Sequence, residues 1–338
     1  MSTSASPPLP PASIELQKRR ILVTGASGFV GRAVVERLRD AGRFEVRGSV
    51  RRDDAERVAG VDYSLVQGLG RDTDWSAALA GCDAVIHTAA RVHVMRERAT
   101  DPDAEFRRAN VEGTLALVEQ AIAAGVRRFV FVSSIKVNGE ETEPGRPFAP
   151  DDAPAPRDTY GRSKLAAEQG LRALLEAAGR EWVIVRPTLV YGPGVRANFA
   201  TMLRWVRRGV PLPLAAVRNR RSLTGLGNLA ALLECCVAHP AAANEVFLAA
   251  DGEDLSTPEL LHRLAHAMRK QPRLFAVSPA ALLAVAALAG RRAWARRLLG
   301  NLQVDCSKAR ERLGWAPPIS VDAGLELTVR AFLARESP

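Results

Sequence analysis

Two short stretches of this chain carry side chains that could move protons. Tyr160-Gly-Arg-Ser-Lys164 sets a phenol and an amine four residues apart. On a helix that spacing places both on one face. A neighbouring ammonium lowers a phenol's pKa from about 10 toward neutrality and makes it a usable general acid or base. The expectation is a Tyr160 activated by Lys164. The second stretch, Phe131–Glu140, reads FVSSIKVNGE. It closes an apolar run on Ser133 and Ser134, then places Lys136, one of only five lysines in an arginine-rich chain. A Tyr-x-x-x-Lys spacing by itself is common and mostly accidental, so its weight depends on the elements that would position it.

The first of those elements is a glycine turn. The apolar run Ile21–Thr24 leads into Gly25-Ala-Ser-Gly28-Phe-Val-Gly31, and a helix is expected over Phe29–Arg39, with Val30, Val34, Val35 and Leu38 at helical spacing. Gly25, Gly28 and Gly31 would let backbone approach a pyrophosphate, and the helix N-terminus would supply N–H donors and the positive end of its dipole. Ser27, Phe29 and Val30 lie in the same turn and are assigned with it to cofactor binding. The next strand, FEVRGSVRR, ends on Arg51 and Arg52, with acids only at Asp53 and Asp54. An NAD site usually has an acid there for the ribose 2′-hydroxyl. Two arginines suit a 2′-phosphate, which favours NADP over NAD; the alternative is that they merely solvate a loop.

The remaining pattern alternates. CDAVIHTAA reads as a strand ending near His87, ANVEGTLALVEQAIAAG as a long helix ending at Gly125, and RRFVFVSS as a strand buried on both faces. Tyr160–Ala178 reads as a helix and REWVIVRP as the next strand. This is an α/β chain, a Rossmann-type doubly wound parallel sheet with helices on both faces. Beyond Tyr191 the pattern loosens into Gly-, Pro- and Arg-rich stretches, followed by a short strand, EVFLAADGE, and a helix with Thr257 as N-cap and Pro258 at its first position. The expected organisation is a disordered tail over 1–18, a dinucleotide-binding domain from 19–190 and 222–250, and a smaller discontinuous substrate lobe from 191–221 and 251–338.

Composition narrows the partners. The 338 residues are 47% hydrophobic, enough for a large core, and carry a formal charge of +10. No basic block with interleaved aromatics appears, so nucleic acid is not expected; arginine forks also suit anionic small substrates. The four cysteines form no C-x-x-C pair, Cys235–Cys236 sits in an apolar run, and the default compartment is a reducing cytoplasm. Ser278–Gly290 spans an apolar stretch of about 11 residues, short of the ~20 that cross a bilayer, so no integral membrane segment is expected. The RRAWARR cluster that follows leaves a membrane-surface role open.

Taken together, TGASGFVG, VIHTAA, NVEGT, FVSSIKVNG, YGRSK, RPTLVYGPG and DCSKARERLGWAP resemble the extended short-chain dehydrogenases/reductases of the sugar-nucleotide epimerase/dehydratase group, over nearly the whole chain after the tail. The resemblance implies Tyr160 as acid/base, Ser134 as hydrogen-bond donor to the reacting oxygen, and Lys164 as tuner of Tyr160 and binder of the nicotinamide ribose. It implies that Asn110 supports the active-site helix, that His87, Ala89, Ala90, Ser133 and Pro187 lie along the cofactor, and that Leu69 stands near the adenine where relatives often have an acid. His87 has a plain alternative as a packed strand-end residue. Asn198 and Arg221 fall where relatives contact a substrate diphosphate; for Arg218 and Arg220 a solvated loop is the competing reading. A homodimer through helices near 101–124 and 160–178 is the usual pattern of the group.

Sugar 4,6-dehydratases of this group carry an Asp-Glu pair where this chain has Ile135 and Lys136. Elimination and decarboxylation therefore lack their acid, which leaves hydride transfer at C4 of a UDP-sugar. Reduction of a 4-keto-6-deoxy-HexNAc sugar is placed first, and UDP-glucose or UDP-GlcNAc 4-epimerisation is the alternative. A non-catalytic dinucleotide sensor and a reductase of a non-sugar ketone are further alternatives. Lys136 has two readings: a solvent-facing loop lysine, or an ammonium that faces the sugar.

Overall fold

The computed structural model describes residues 18–92, 101–290 and 292–336. Apart from Lys18, the tail assigned to 1–18 lies outside the described residues, as does part of the RRAWARR cluster.

The chain opens with strand β1 (Arg19–Thr24), helix α1 (Phe29–Asp40), strands β2 (Phe44–Val50) and β3 (Asp62–Leu65), the one-turn helix α2 (Ser76–Leu79) and β4 (Ala84–His87). Helix α3 (Pro102–Phe106) runs through a π-helical turn, Arg107–Glu112, into α4 (Gly113–Ala123). Strand β5 (Arg128–Val132), a short 3-10 turn (Ile135–Val137), helix α5 (Thr159–Ala177) and β6 (Glu181–Pro187) follow. Then come β7 (Leu189–Tyr191), α6 (Ala197–Arg208), β8 (Arg221–Gly225), α7 (Leu226–Ala238), β9 (Glu245–Ala249) and β10 (Asp254–Leu255). Helices α8 (Thr257–Ala267), α9 (Pro279–Leu288), α10 (Arg292–Leu299), α11 (Ser307–Leu313) and α12 (Val321–Glu336) complete the described chain.

Seven strands form one parallel sheet in the order β3-β2-β1-β4-β5-β6-β9. The order reverses between β1 and β4, and Thr24 and His87 align at the carboxyl ends of those two strands. Ligands of doubly wound sheets bind outside such a switch point. Strand alternation splits the core. Ile21, Val23, Val130 and Val183 face α1 and α7, while Leu22, Val85, Phe129, Phe131 and Ile184 face α4 and α5. Burying each such side chain stabilises by about 1.5–3 kcal/mol. Cys236 packs fully buried in α7 and its thiol is pushed up by burial.

A second sheet, β10-β8-β7, lies beside a third apolar cluster that joins Tyr191, Phe199, Leu203, Leu261, Leu264, Leu325 and Val329 from β7, α6, α8 and α12. Two local expectations are corrected. The long helix expected through NVEGT is interrupted by the π-turn. Helix α8 is capped by Ser256 in a reciprocal capping box with Glu259, not by Thr257. Thr257 is buried and its hydroxyl donates to the Leu298 carbonyl, so it serves the tertiary structure instead of the cap.

Candidate active site

The glycine turn fits a dinucleotide. Gly25 has φ +66°, a conformation that disfavours a side chain. A Cβ on Gly31 would lie 2.1 Å from the Gly25 carbonyl oxygen and 2.7 Å from Thr88 Oγ1, so helix and turn touch through bare backbone. No side chain caps α1 and its first turn has no acid, which leaves its N–H donors to an incoming anion. Ser27 and Gly28 are exposed on the turn, and Phe29 and Val30 are half-buried in the first helical turn. These residues, cradle and helix N-terminus together, fit a pyrophosphate. Arg51 and Arg52 directly follow β2 and are exposed, with Arg52 Nε 3.3 Å from Asp54.

Across the switch point, His87 is fully buried. One ring nitrogen shares a hydrogen bond of 2.7 Å with Thr24 Oγ1 and the other one of 3.1 Å with Thr114 Oγ1. Burial and the nearby Lys164 lower its pKa to about 3, so the ring is neutral and serves as a packed brace. Ala89 abuts Gly25, where a Cβ would meet the Ala89 Cα at 3.0 Å, and Ala90 follows it half-buried. Leu69 is half-buried against the second core cluster and presses on Gly113. Pro187 closes β6 and is buried.

Helix α5 starts at Asp158, whose carboxylate accepts from the Gly161 N–H at 2.7 Å. That cap sets Tyr160 in the first turn and Lys164 one turn later. Lys164 is buried and Tyr160 half-buried. Lys164 Nζ donates to the Val132 carbonyl at 2.9 Å, lies 4.4 Å from the centre of the Phe131 ring and 6.0 Å from that of Tyr160. The expected downward shift of Tyr160 is not found. Burial pushes its phenol above its usual value, and the Asp158 carboxylate adds to this. The perturbed partner is Lys164, which burial pulls down to about 7 against support from the Glu168 carboxylate. Removing both groups from water disfavours their charged forms, and the spacing argument omits that cost.

A pH prediction follows. Between pH 7 and the ordinary lysine value of 10.5, the unfolded chain holds the Lys164 proton that the folded chain has released. Stability rises with pH wherever the unfolded state binds more protons. Wild type should therefore gain on Lys164→Met from pH 7 to 9, by at most about 1.4 kcal/mol per pH unit. Denaturant titrations of both proteins at the two pH values check it.

Ser134 stands at the mouth of β5, half-buried, and caps the 3-10 turn by accepting from the Lys136 N–H at 3.3 Å. The hydroxyl of Ser133 points elsewhere and donates to Glu168. Asn110 lies in the π-turn, where an extra residue per turn often marks a functional position. It accepts from the Arg91 N–H at 2.7 Å and donates to the Arg91 carbonyl and to Ser163 Oγ, each at 3.0 Å. Asn110 thus ties the segment after β4 to the helix that bears Tyr160.

Lys136 is not the solvent-facing lysine of the plain reading. Its ammonium pairs with Asp158 and with Glu140 at 3.4 Å, and lies 5.9 Å from the centre of the Tyr160 ring. Two lysines therefore flank the phenol. Arg297 joins the same carboxylates, 3.3 Å from Glu140 and 3.9 Å from Asp158. Arg221, at the start of β8, donates to the Gly300 carbonyl at 2.9 Å, and burial lowers its pKa to about 10. Asn198 is exposed in the first turn of α6; Arg218 and Arg220 are exposed beside Arg221.

A buried network escaped the sequence reading. Glu168 accepts from Arg186 through two bonds of 3.0 and 2.6 Å, and Arg186 also donates to Asn138 Oδ1 at 3.0 Å. Asn138 Nδ2 completes it on the Ala149 carbonyl at 3.1 Å. The available signal was the helical series Tyr160, Lys164, Glu168, three polar residues on one face.

Residues 21–250 match the model of the NAD dependent epimerase/dehydratase family. A UDP-glucose 4-epimerase of Vibrio cholerae is 43% identical over 319 residues, covering 93% of this chain and 96% of its own. A short-chain dehydrogenase/reductase superfamily protein from Agrobacterium tumefaciens, crystallised with NAD, superposes with TM-score 0.73 at 25% identity, covering 94% of this chain and 98% of its own. The Thermotoga maritima UDP-glucose 4-epimerase shares the fold with TM-score 0.72 at 23% identity, covering 94% of this chain and all of its own. With the glycine cradle at the switch point and Tyr160 and Lys164 on one helix face, this match over most of the chain establishes that the protein is an enzyme of the NAD dependent epimerase/dehydratase family.

Proposed function

We propose that the enzyme interconverts UDP-sugars epimeric at C4. The reading is carried by the Tyr160–Lys164 pair beside a position that holds no elimination acid. Ile135 is buried, Lys136 is an ammonium, and the neighbouring carboxylates Asp158 and Glu140 are held in ion pairs by Lys136 and Arg297. The similarity to the Vibrio cholerae UDP-glucose 4-epimerase supports epimerisation over net 4-keto reduction.

Gly25, Gly28, Gly31 and the α1 N-terminus would hold the dinucleotide, with Arg51 and Arg52 at the ribose end able to meet a 2′-phosphate. The nicotinamide, when bound, supplies hydride acceptance and return. Tyr160 takes the proton of the sugar 4-hydroxyl and later gives one to the 4-keto oxygen. Ser134 hydrogen-bonds that oxygen, Lys164 favours the phenolate, and Asn110 with Ser163 holds the helix in register. Arg221 and Asn198 are assigned to the UDP diphosphate, since a guanidinium offers charge-assisted paired bonds to phosphate oxygens. The segments 191–221 and 251–338, around the third apolar cluster, are assigned as the substrate lobe.

Lys136 opposes the field of Asp158 at Tyr160. Lys136→Met should lower kcat about tenfold and raise the basic limb of the pH profile, because one carboxylate then faces the phenol with less compensation. An unchanged profile would return Lys136 to a purely structural role.

The deciding assay supplies UDP-galactose and follows UDP-glucose formation together with nicotinamide absorbance. Interconversion without net cofactor change is expected. Stoichiometric loss of reduced cofactor on a UDP-4-keto-6-deoxy-HexNAc, with no interconversion, would replace epimerisation by reduction.

A further inference from the structure

Helix α9 is out of place on a protein surface. Its sequence, PAALLAVAAL, holds no polar side chain, and no residue in it is buried. Val285 is 66% and Leu288 91% exposed, and Phe275, just upstream, is 50% exposed. Only its inner side meets the third apolar cluster, through Leu282. Exposed leucines occur singly on most proteins, but an apolar helix whose outer face carries Val285 and Leu288 into solvent calls for an occupant.

Charge identifies that occupant. Residues 260–304 contain eight Lys or Arg and not one Asp or Glu. Among the described residues, Arg296 on α10 and Arg218 on the adjoining loop are exposed and have no carboxylate within ion-pair distance, while the neighbouring Arg220 acts on Glu259. That loop is tied to the end of α10: Asn219 donates to the Leu298 and Gly300 carbonyls, and the Arg220 N–H to Asn301. Apolar side chains beside unpaired guanidinium groups match an interface of acyl chains and anionic headgroups. A second copy of this chain would bring the same excess of positive charge, and a polyanion would leave the apolar face unused. No helix among the described residues is long and apolar enough to cross a membrane, so the contact is with one leaflet.

We propose that α9 and α10 dock the enzyme on the surface of an anionic lipid bilayer. The docking element adjoins the catalytic mouth, because α10 packs on α9 and its Arg297 reaches Glu140 and Asp158, the latter capping the helix of Tyr160. Docking therefore sets the sugar site next to the bilayer. The proposal stands independently of which UDP-sugar is turned over.

The test is co-sedimentation of the full-length protein with phosphatidylglycerol-rich vesicles and with phosphatidylcholine vesicles. Pelleting with the anionic vesicles only, weakened by salt, is expected. Val285→Glu/Leu288→Glu should reduce it at least about tenfold, since two buried apolar contacts are lost, while turnover of soluble UDP-sugar stays at the wild-type level. Both side chains are exposed, so the variant folds. Absence of pelleting, or equal pelleting of the double variant, would overturn the proposal. Concentration-dependent self-association abolished by the same substitutions would assign the face to a second copy instead.

Discussion

Tyr160→Phe is expected to abolish turnover while leaving the protein folded and able to bind dinucleotide. General acid–base catalysis by a positioned side chain contributes about 10²–10⁴ in rate, and the phenol is the group assigned to every proton transfer at C4. The ring itself is secured independently, edge-on to Phe106 with centroids 6.2 Å apart. Phenylalanine keeps that contact and removes only a hydroxyl that burial already disfavours as a phenolate. Steady-state kinetics with UDP-galactose and titration with NAD and NADP separate the two effects. A variant with wild-type kcat would remove Tyr160 from the mechanism. Loss of dinucleotide binding along with turnover would mean that the hydroxyl serves the cofactor site and not the proton.

The largest stability effect is expected at Glu168. Its carboxylate takes both guanidinium bonds from Arg186 and the Ser133 hydroxyl, all buried in the sheet–helix interface. Glu168→Ala leaves Arg186 charged and without its carboxylate at a site that excludes water. Breaking one side of a buried pair costs about 3–5 kcal/mol, which at a few degrees per kcal/mol lowers Tm by roughly 10 °C. Glu168→Leu/Arg186→Met should recover much of the loss, because a buried pair and a packed apolar pair of similar volume differ little in net stability. Thermal melts of the single and double variants provide the comparison. Equal loss in both would mean that packing and not charge is at stake. The pair also has a catalytic side: Glu168 raises the Lys164 pKa against the effect of burial, so the single variant should lose ammonium at neutral pH and with it activity.

The parallel sheet was legible because its signals are local. Apolar runs of four to seven residues, glycine at the β1–α1 turn and helical spacing at Val30, Val34, Val35 and Leu38 each act within one element. Most expected helix boundaries moved by one residue, as for α1 and α5, and two local features differed more. Thr257 yielded the cap of α8 to Ser256 because its hydroxyl is needed by Leu298, and the helix around Asn110 widened into a π-turn. The site residues were named one by one from spacing and resemblance, yet their electrostatics were not. A helical spacing says that Tyr160 and Lys164 share a face; it does not say that Lys164 is fully buried or that Asp158 sits beside the phenol.

The sequence by itself therefore determined the glycine turn between β1 and α1, the four-residue spacing of Tyr160 and Lys164 and the absence of an acid at positions 135 and 136, since these depend on residue identity at short range. Tertiary structure alone decided what those residues experience. It brought Lys136 from the end of β5 to the cap of α5, closed Ser133, Glu168, Arg186 and Asn138 into one buried network, and turned an apolar helix outward beside the mouth of the site. Burial and charge proximity are sums over segments far apart in the chain, and such sums exist only once the chain has folded.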